Sequence, residues 1–259
     1  MRRDSLIKSV PRWALILGLG SLATASLNCQ SSSTAPPDPE ALAVLFIGNS
    51  LTYSNNLPNL LKHLLEVAQD DPVHIEAVAF PDYGLPDHWV SGSSRDRLAS
   101  GGWDVVILQQ GPSATEGRPY LLDYTELFDQ EIRAQGGRTA LYMVWPARSR
   151  FFDFAGVLDS YRTAADEVGG IFFPAGEAWR VAWETDPDLE FYGSDGFHPT
   201  LLGSHLTAVV MMERLTGYDP RELPPVIQGS GGAVQLDPEV ATLIHGAAAE
   251  ANRRFPDGG

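Results

Sequence analysis

One cysteine, Cys29, stands in 259 residues. No intrachain disulfide can form, so the fold must be held by its core. Basic residues are scarce too: 18 Lys and Arg against 33 Asp and Glu leave a formal net charge of −15. A nucleic-acid partner is disfavoured by that balance, because phosphate binding needs a basic face. The acidity suits an exported protein that must stay soluble. Several motifs are missing: His-Glu-x-x-His, paired cysteines, the Gly-x-x-x-x-Gly-Lys phosphate loop and the Gly-x-Ser-x-Gly elbow. No metal or nucleotide chemistry is expected, and the Gly18-Leu19-Gly20 of the front segment has no bearing on cofactors.

Residues 1–29 read as an export signal. Arg2, Arg3, Lys8 and Arg12 form a basic start, and Trp13 to Leu22 form an apolar run; at about ten residues it is too short to span a bilayer as a helix. Two processing sites compete. Ala23-Thr24-Ala25 is a small-x-small cleavage site, whereas Ser26-Leu27-Asn28-Cys29 is an imperfect lipoprotein box with Asn before the cysteine. Residues 30–40, with Ser31-Ser32-Ser33-Thr34-Ala35-Pro36-Pro37, read as a flexible tether behind a lipidated Cys29. The expectation is a lipoprotein joined to a membrane only through that anchor, or else a periplasmic or secreted protein.

Residues 41–259, within a chain that is 44% apolar, are enough for one large domain. Strands are expected at Leu42 to Ile47, Val73 to Phe80, Asp104 to Leu108, Thr139 to Trp145 and Ile171 to Phe173, the last closed by Pro174. Helices are expected at Leu57 to Ala68, Tyr120 to Ala134, Val157 to Val168 and Leu201 to Leu215. A weaker one over Pro86 to Leu98 is interrupted by Ser91-Gly92-Ser93. A Pro-rich arm and a terminal helix near Pro238 to Asn252 complete the chain. Strands alternating with helices predict an α/β fold, a three-layer α/β/α sandwich around a five-stranded parallel sheet.

Two short stretches carry the chemistry. Val44 to Leu51 reads Val-Leu-Phe-Ile-Gly-Asn-Ser-Leu, an apolar strand that ends in a hydroxyl at Ser50. Open α/β sheets bind ligands beyond the carboxyl ends of their strands. Alone, Ser50 is equally a helix N-cap. Far downstream, Asp195-Gly196-Phe197-His198-Pro199 sets an acid and an imidazole three apart in a glycine-containing loop. There the carboxylate can hold one ring nitrogen while the other takes a proton from a serine. Separately, Asp195 is a turn former and His198 a loop histidine; together they need a nucleophile, and Ser50 supplies one. His63, His74, His88, His205 and His245 are scattered and read as structural or surface residues.

These stretches, in this order, resemble the SGNH or GDSL-like hydrolases, serine esterases and lipases on a flavodoxin-like sheet. The resemblance runs from about Leu42 to Leu215. It implies Ser50 as nucleophile, His198 as general base and Asp195 as its orienter, with no cofactor. It also implies an oxyanion hole built from the Ser50 amide, the amide of a glycine after the second strand, best matched by Gly84, and a side chain after the third strand. The family's Gly-x-Asn would fall on Gly111-Pro112-Ser113, so Ser113 stands where asparagine is usual. Gln110-Gly111-Pro112-Ser113 is similar to the Gln-Gly-x-Ser of acetylesterase-like branches, in which the glutamine amide replaces asparagine. Gln110 is the expected third donor, with Gln109 and Ser113 as alternatives.

The implied substrate is a carboxylic ester, with a short acyl group on a carbohydrate favoured by that third block. Tyr53, Tyr83, Trp89, Trp145, Phe151, Phe152, Phe154 and Tyr192 lie near expected strand-end loops, where they either line a pocket or pack the core. An acyltransferase using the same residues, or a glycan-binding lipoprotein without turnover, fits the sequence as well.

Overall fold

A computed structural model describes residues 40–229 and 231–256. The expected export signal, its Cys29 and the tether as far as residue 39 lie outside the described residues. Strand β1 (Leu42–Gly48) begins the sheet. Val44, Leu45, Phe46 and Ile47 are fully buried, as a near-continuous apolar run in a strand covered on both faces should be. A one-turn helix α1 (Ser50–Tyr53) and a 3-10 turn (Ser54–Asn56) follow. Helix α2 (Leu57–Ala68) then buries Leu57, Leu60, Leu61, Leu64 and Leu65, the stripe that its periodicity announces.

The next strand, β2 (Val73–Ala79), leads to helices α3 (Leu85–Ser91) and α4 (Ser93–Ala99), which Gly92 separates in a left-handed conformation at φ 82°. After β3 (Val105–Leu108) come α5 (Arg118–Ala134), β4 (Arg138–Tyr142), α6 (Phe154–Val168) and β5 (Ile171–Phe173). Helices α7 (Ala175–Thr185) and α8 (Leu201–Thr216), the hairpin β6 (Val226–Gly229) and β7 (Gly232–Gln235), and α9 (Pro238–Arg254) complete the described chain.

All pairings in the main sheet are parallel, in the order β2-β1-β3-β4-β5. The chain winds to one side of β1 and then to the other, so the switch point falls between the carboxyl ends of β1 and β3. The expected α/β/α sandwich and its flavodoxin-like order are observed.

Three differences have physical causes. Helix α7 was not expected: Pro174 gives it no side-chain cap, and Ala175, Gly176, Glu177, Ala178, Trp179, Val181 and Ala182 are all buried, which blurs its periodicity. The hairpin lies in the Pro-rich arm, and β7 is exposed throughout, so no alternation marks it. Strand β4 stops at Tyr142 rather than Trp145 because its neighbour β5 has only three residues before Pro174.

Candidate active site

The nucleophile turn is built at the carboxyl end of β1, an interior strand between β2 and β3. Gly48 closes β1, Asn49 is the N-cap of α1 with its Oδ1 accepting from Leu51 N, and Ser50 is the first helical residue. The cap is therefore Asn49, which frees the Ser50 hydroxyl. Beneath the turn lies Gln109, fully buried. Its Oε1 accepts from Asn49 N at 2.9 Å and Thr52 Oγ1 at 2.8 Å, and its Nε2 donates to Asn49 Oδ1 and Gln110 O. The amide is saturated, and the two donors facing Oε1 fix its orientation. A Cβ at position 48 would lie 2.3 Å from Thr52 Oγ1 and 2.5 Å from Gln109 Oε1, so only glycine lets the strand approach this amide.

His88, fully buried, supports the same turn from below. Its Nε2 is 2.8 Å from Gly48 O and its Nδ1 is 2.7 Å from Ser94 Oγ. A carbonyl accepts only, so the Nε2 carries the proton and Nδ1 accepts from Ser94. Burial, chiefly, holds this imidazole below its ordinary pKa, which favours the neutral ring.

The base loop arrives between α7 and α8. Ser50 Oγ is 2.8 Å from His198 Nε2, and His198 Nδ1 is 2.6 Å from Asp195 Oδ2. Asp195 Oδ1 accepts from the backbone N–H groups of Phe197 and His198, each at 2.9 Å. The His198 hydrogen bond, followed by that of Phe197 N–H, lowers the Asp195 carboxyl to about 2. Asp195 is thus ionised at neutral pH and accepts a hydrogen bond from Nδ1–H, leaving Nε2 to accept from the Ser50 hydroxyl. This serine-imidazole-carboxylate chain can abstract a proton from Ser50 and return it to a leaving group.

A cavity of about 520 Å³ opens beside Ser50, lined by Asn49, Tyr83, Gly84, Gln110, Ser113, Tyr120 and Phe197, with Asp82 and Asp87 on its wall. Of the aromatics singled out in sequence, only Tyr83 lines it. Trp145, Phe154 and Tyr192 are core, whereas Tyr53, Phe151 and Phe152 are exposed. Tyr120 and Phe197 also line the cavity; Phe197 stands between Asp195 and His198 in the base loop, whereas nothing local in the sequence distinguishes Tyr120.

The candidate oxyanion donors differ in availability. No acceptor is paired with Ser50 N–H among the described residues. Asn49 Nδ2 holds Tyr83 O at 2.9 Å, which orients the Tyr83–Gly84 peptide, yet Gly84 N–H donates to Asp87 Oδ2 at 2.8 Å. Gln110 borders the cavity, but its Nε2 donates to Ser113 Oγ at 2.7 Å and Gly117 O at 2.9 Å, while its Oε1 accepts from Leu85 N. Ser113 sits at φ 60°, and its hydroxyl turns back to Gly111 O. Gln109 has no hydrogen left and does not reach the cavity.

No family model matches the chain, and no curated protein matches it. Among solved structures, a DUF4886 family protein from Bacteroides uniformis superposes with a TM-score of 0.68 at 20% identity, over 84% of this chain and 96% of its own. A Slackia heliotrinireducens protein, described as a candidate SGNH hydrolase, gives 0.59 at 22%, over 68% and 99%. A variant of an acetyl-xylooligosaccharide esterase from Geobacillus stearmophilus gives 0.53 at 13%, over 69% and 96%. The chain has the fold of the SGNH/GDSL hydrolases.

Proposed function

We propose that the protein is a serine hydrolase that cleaves a carboxylic ester, with Ser50 as nucleophile, His198 as general base and then acid, and Asp195 as orienter. The observation that carries this reading is the hydrogen-bonded chain from Ser50 Oγ through His198 to Asp195. Ser50 Oγ attacks the ester carbonyl as its proton passes to His198 Nε2. The tetrahedral intermediate collapses, and the alcohol departs with that proton, leaving an acyl-Ser50. Water, deprotonated by the same imidazole, then releases the acid and restores the hydroxyl. No cofactor takes part in these steps.

In this reading the oxyanion is met by Ser50 N–H, Gly84 N–H and Gln110 Nε2. Gln110 keeps one hydrogen on Gly117 O and turns the other from Ser113 Oγ to the oxyanion, since a charged acceptor outcompetes a neutral hydroxyl. The favoured substrate is a short acyl ester, acetyl above all, on a carbohydrate. The fold shared with acetyl xylan and acetyl-xylooligosaccharide esterases and the cavity in which Tyr83, Tyr120 and Phe197 could stack against a sugar ring support it. An acyltransferase would use the same steps with a sugar hydroxyl in place of water. Export as a lipoprotein through Cys29 belongs to the same proposal and rests on the front of the sequence; loss of detergent-phase partitioning in Cys29→Ser tests it.

A second reading, glycan binding without turnover, is favoured by one observation: the Gly84 and Gln110 hydrogens are already engaged. A panel of p-nitrophenyl esters from acetate to palmitate, with acetylated xylan alongside, decides between them on wild type and Ser50→Ala. Turnover that depends on Ser50 and is greatest for acetate is expected; no turnover and no fluorophosphonate labelling would leave binding alone.

A further inference from the structure

Two segments far apart in sequence must stay in register for Ser50 to meet His198, and the base loop is held by a run of its own carbonyls. The backbone oxygens of Gly196, Phe197, His198 and Pro199 accept from Arg148 N, Trp145 Nε1, Gly193 N and Asn55 Nδ2 respectively. The first three donors lie within the loop or in the segment after β4. Only the fourth comes from the nucleophile's side: Asn55 belongs to the 3-10 turn that directly follows α1.

The Asn55 carboxamide commits both of its amide hydrogens to the base-bearing side. One goes to Pro199 O and the other to Ser204 Oγ in α8, each at 2.9 Å. Its backbone is left-handed, at φ 53° and ψ 18°. Asparagine tolerates that region, and glycine does so at no steric cost. The conformation therefore does not demand asparagine; the two acceptors do.

We propose that Asn55 is a positioning residue that clips the loop carrying His198 to the turn carrying Ser50, and so sets the separation of hydroxyl and imidazole. The proposal rests on the reading of Ser50 as nucleophile. Asn55 touches neither reacting atom. Its effect on rate comes through geometry, where a misplacement of about 1 Å can cost roughly 100-fold. Without the clip, Pro199 O turns to water while the other three carbonyls stay bound, so the loop remains folded but loses its fixed distance from Ser50.

Two variants separate side chain from backbone. Asn55→Gly keeps the left-handed turn and removes both donors; Asn55→Asp keeps size and turn preference but offers no hydrogen to Pro199 O. Each is followed by the rate of phosphonylation with a fluorophosphonate, normalised to the fraction of molecules finally labelled, and by kcat and KM for p-nitrophenyl acetate. Both variants should reach full labelling at Ser50 with rate constants lower by roughly 10- to 100-fold. kcat should fall in step, with KM within about twofold of wild type. Labelling of either folded variant at the wild-type rate would overturn the proposal. So would a loss confined to the labelled fraction, which is the mark of a merely structural role. A wild-type protein that is itself inert to the probe would instead bring down the nucleophile reading, and the clip with it.

Discussion

Ser50 Oγ and His198 Nε2 lie 2.8 Å apart although 148 positions separate them in the chain. The contact is a product of topology, because β1 lies inside the sheet between β2 and β3 and the loop before α8 returns over its carboxyl end. Replacing Ser50 with alanine should leave thermal stability unchanged and lower ester turnover by several orders of magnitude. Activity above about a tenth of wild type in a p-nitrophenyl acetate assay would exclude Ser50 as nucleophile.

Asp195→Asn keeps the loop's shape but removes the anionic acceptor that holds the Nδ1 proton. The amide can present its oxygen to His198 Nδ1 only by giving up part of its hold on the backbone N–H groups of Phe197 and His198. Loss of up to about 10⁴-fold in kcat is expected, as in serine hydrolases whose orienting acid is replaced. Circular dichroism should be unaltered and the melting temperature lower only by the weakened hydrogen bonds, about 2–4 °C for each ~1 kcal/mol; a variant with wild-type kcat would remove Asp195 from the mechanism.

The sheet was legible because its strands are buried and its helices are amphipathic: β1 and α2 announce themselves by composition and by period. Ser50, Asp195 and His198 were legible because each ends a strand or occupies a glycine-bounded loop. What surrounds them was not. Asp87 captures Gly84 N–H only because α3 begins at Leu85, and Asn55 meets Pro199 only because two loops converge over the sheet. His88 reads as one of five scattered histidines until the fold brings it to Gly48 O. Such contacts depend on tertiary distance, which local pattern does not encode.

Asp87 offers a test of the Gly84 amide. One N–H has one hydrogen, and a carboxylate at 2.8 Å competes for it with any oxyanion. Asp87→Ala frees the amide and removes a negative charge from the cavity wall. If Gly84 N–H serves the transition state, kcat should rise by roughly 3- to 10-fold, the rate equivalent of a hydrogen bond worth about 1 kcal/mol. A fall in kcat at unchanged stability would mean that Asp87 serves the reaction in its own right.

Gln110 is expected to be the side-chain donor after β3. Gln110→Ala should cost about 10²- to 10³-fold in kcat with little change in KM, because the interaction strengthens only as charge develops. Ser113→Ala removes the neutral acceptor from which Gln110 must turn, so it should leave kcat unchanged or raise it. Gln109→Ala should act through stability instead, since its amide is buried beneath Asn49. A catalytic loss in Ser113→Ala with none in Gln110→Ala would transfer the donor role to Ser113.

Stability should fall with acidity because of a buried histidine pair away from the site. His205 in α8 and His245 in α9 face each other with Nε2 atoms 3.4 Å apart, and each is only 2% exposed. One ring donates its Nε2 proton to the other, and with both rings protonated two N–H groups would be set against each other. Burial depresses the pKa values to about 3 and about 4, against an ordinary 6.5. In the unfolded chain both rings take up protons near 6.5, whereas in the folded protein they do not. The unfolded state therefore binds more protons as pH falls from about 6.5 toward 4, and it gains relative to the native state throughout that window. The carboxyls of buried Glu177 and half-buried Glu213 are shifted upward by desolvation and oppose the trend. A comparison at fixed carboxyl content isolates the histidines: the double variant His205→Leu, His245→Leu replaces both partners with apolar groups of similar size, a change that can be nearly neutral at pH 7.5. Its melting temperature should decline less between pH 7 and pH 5 than that of wild type; parallel declines would show that the pair does not set the acid sensitivity.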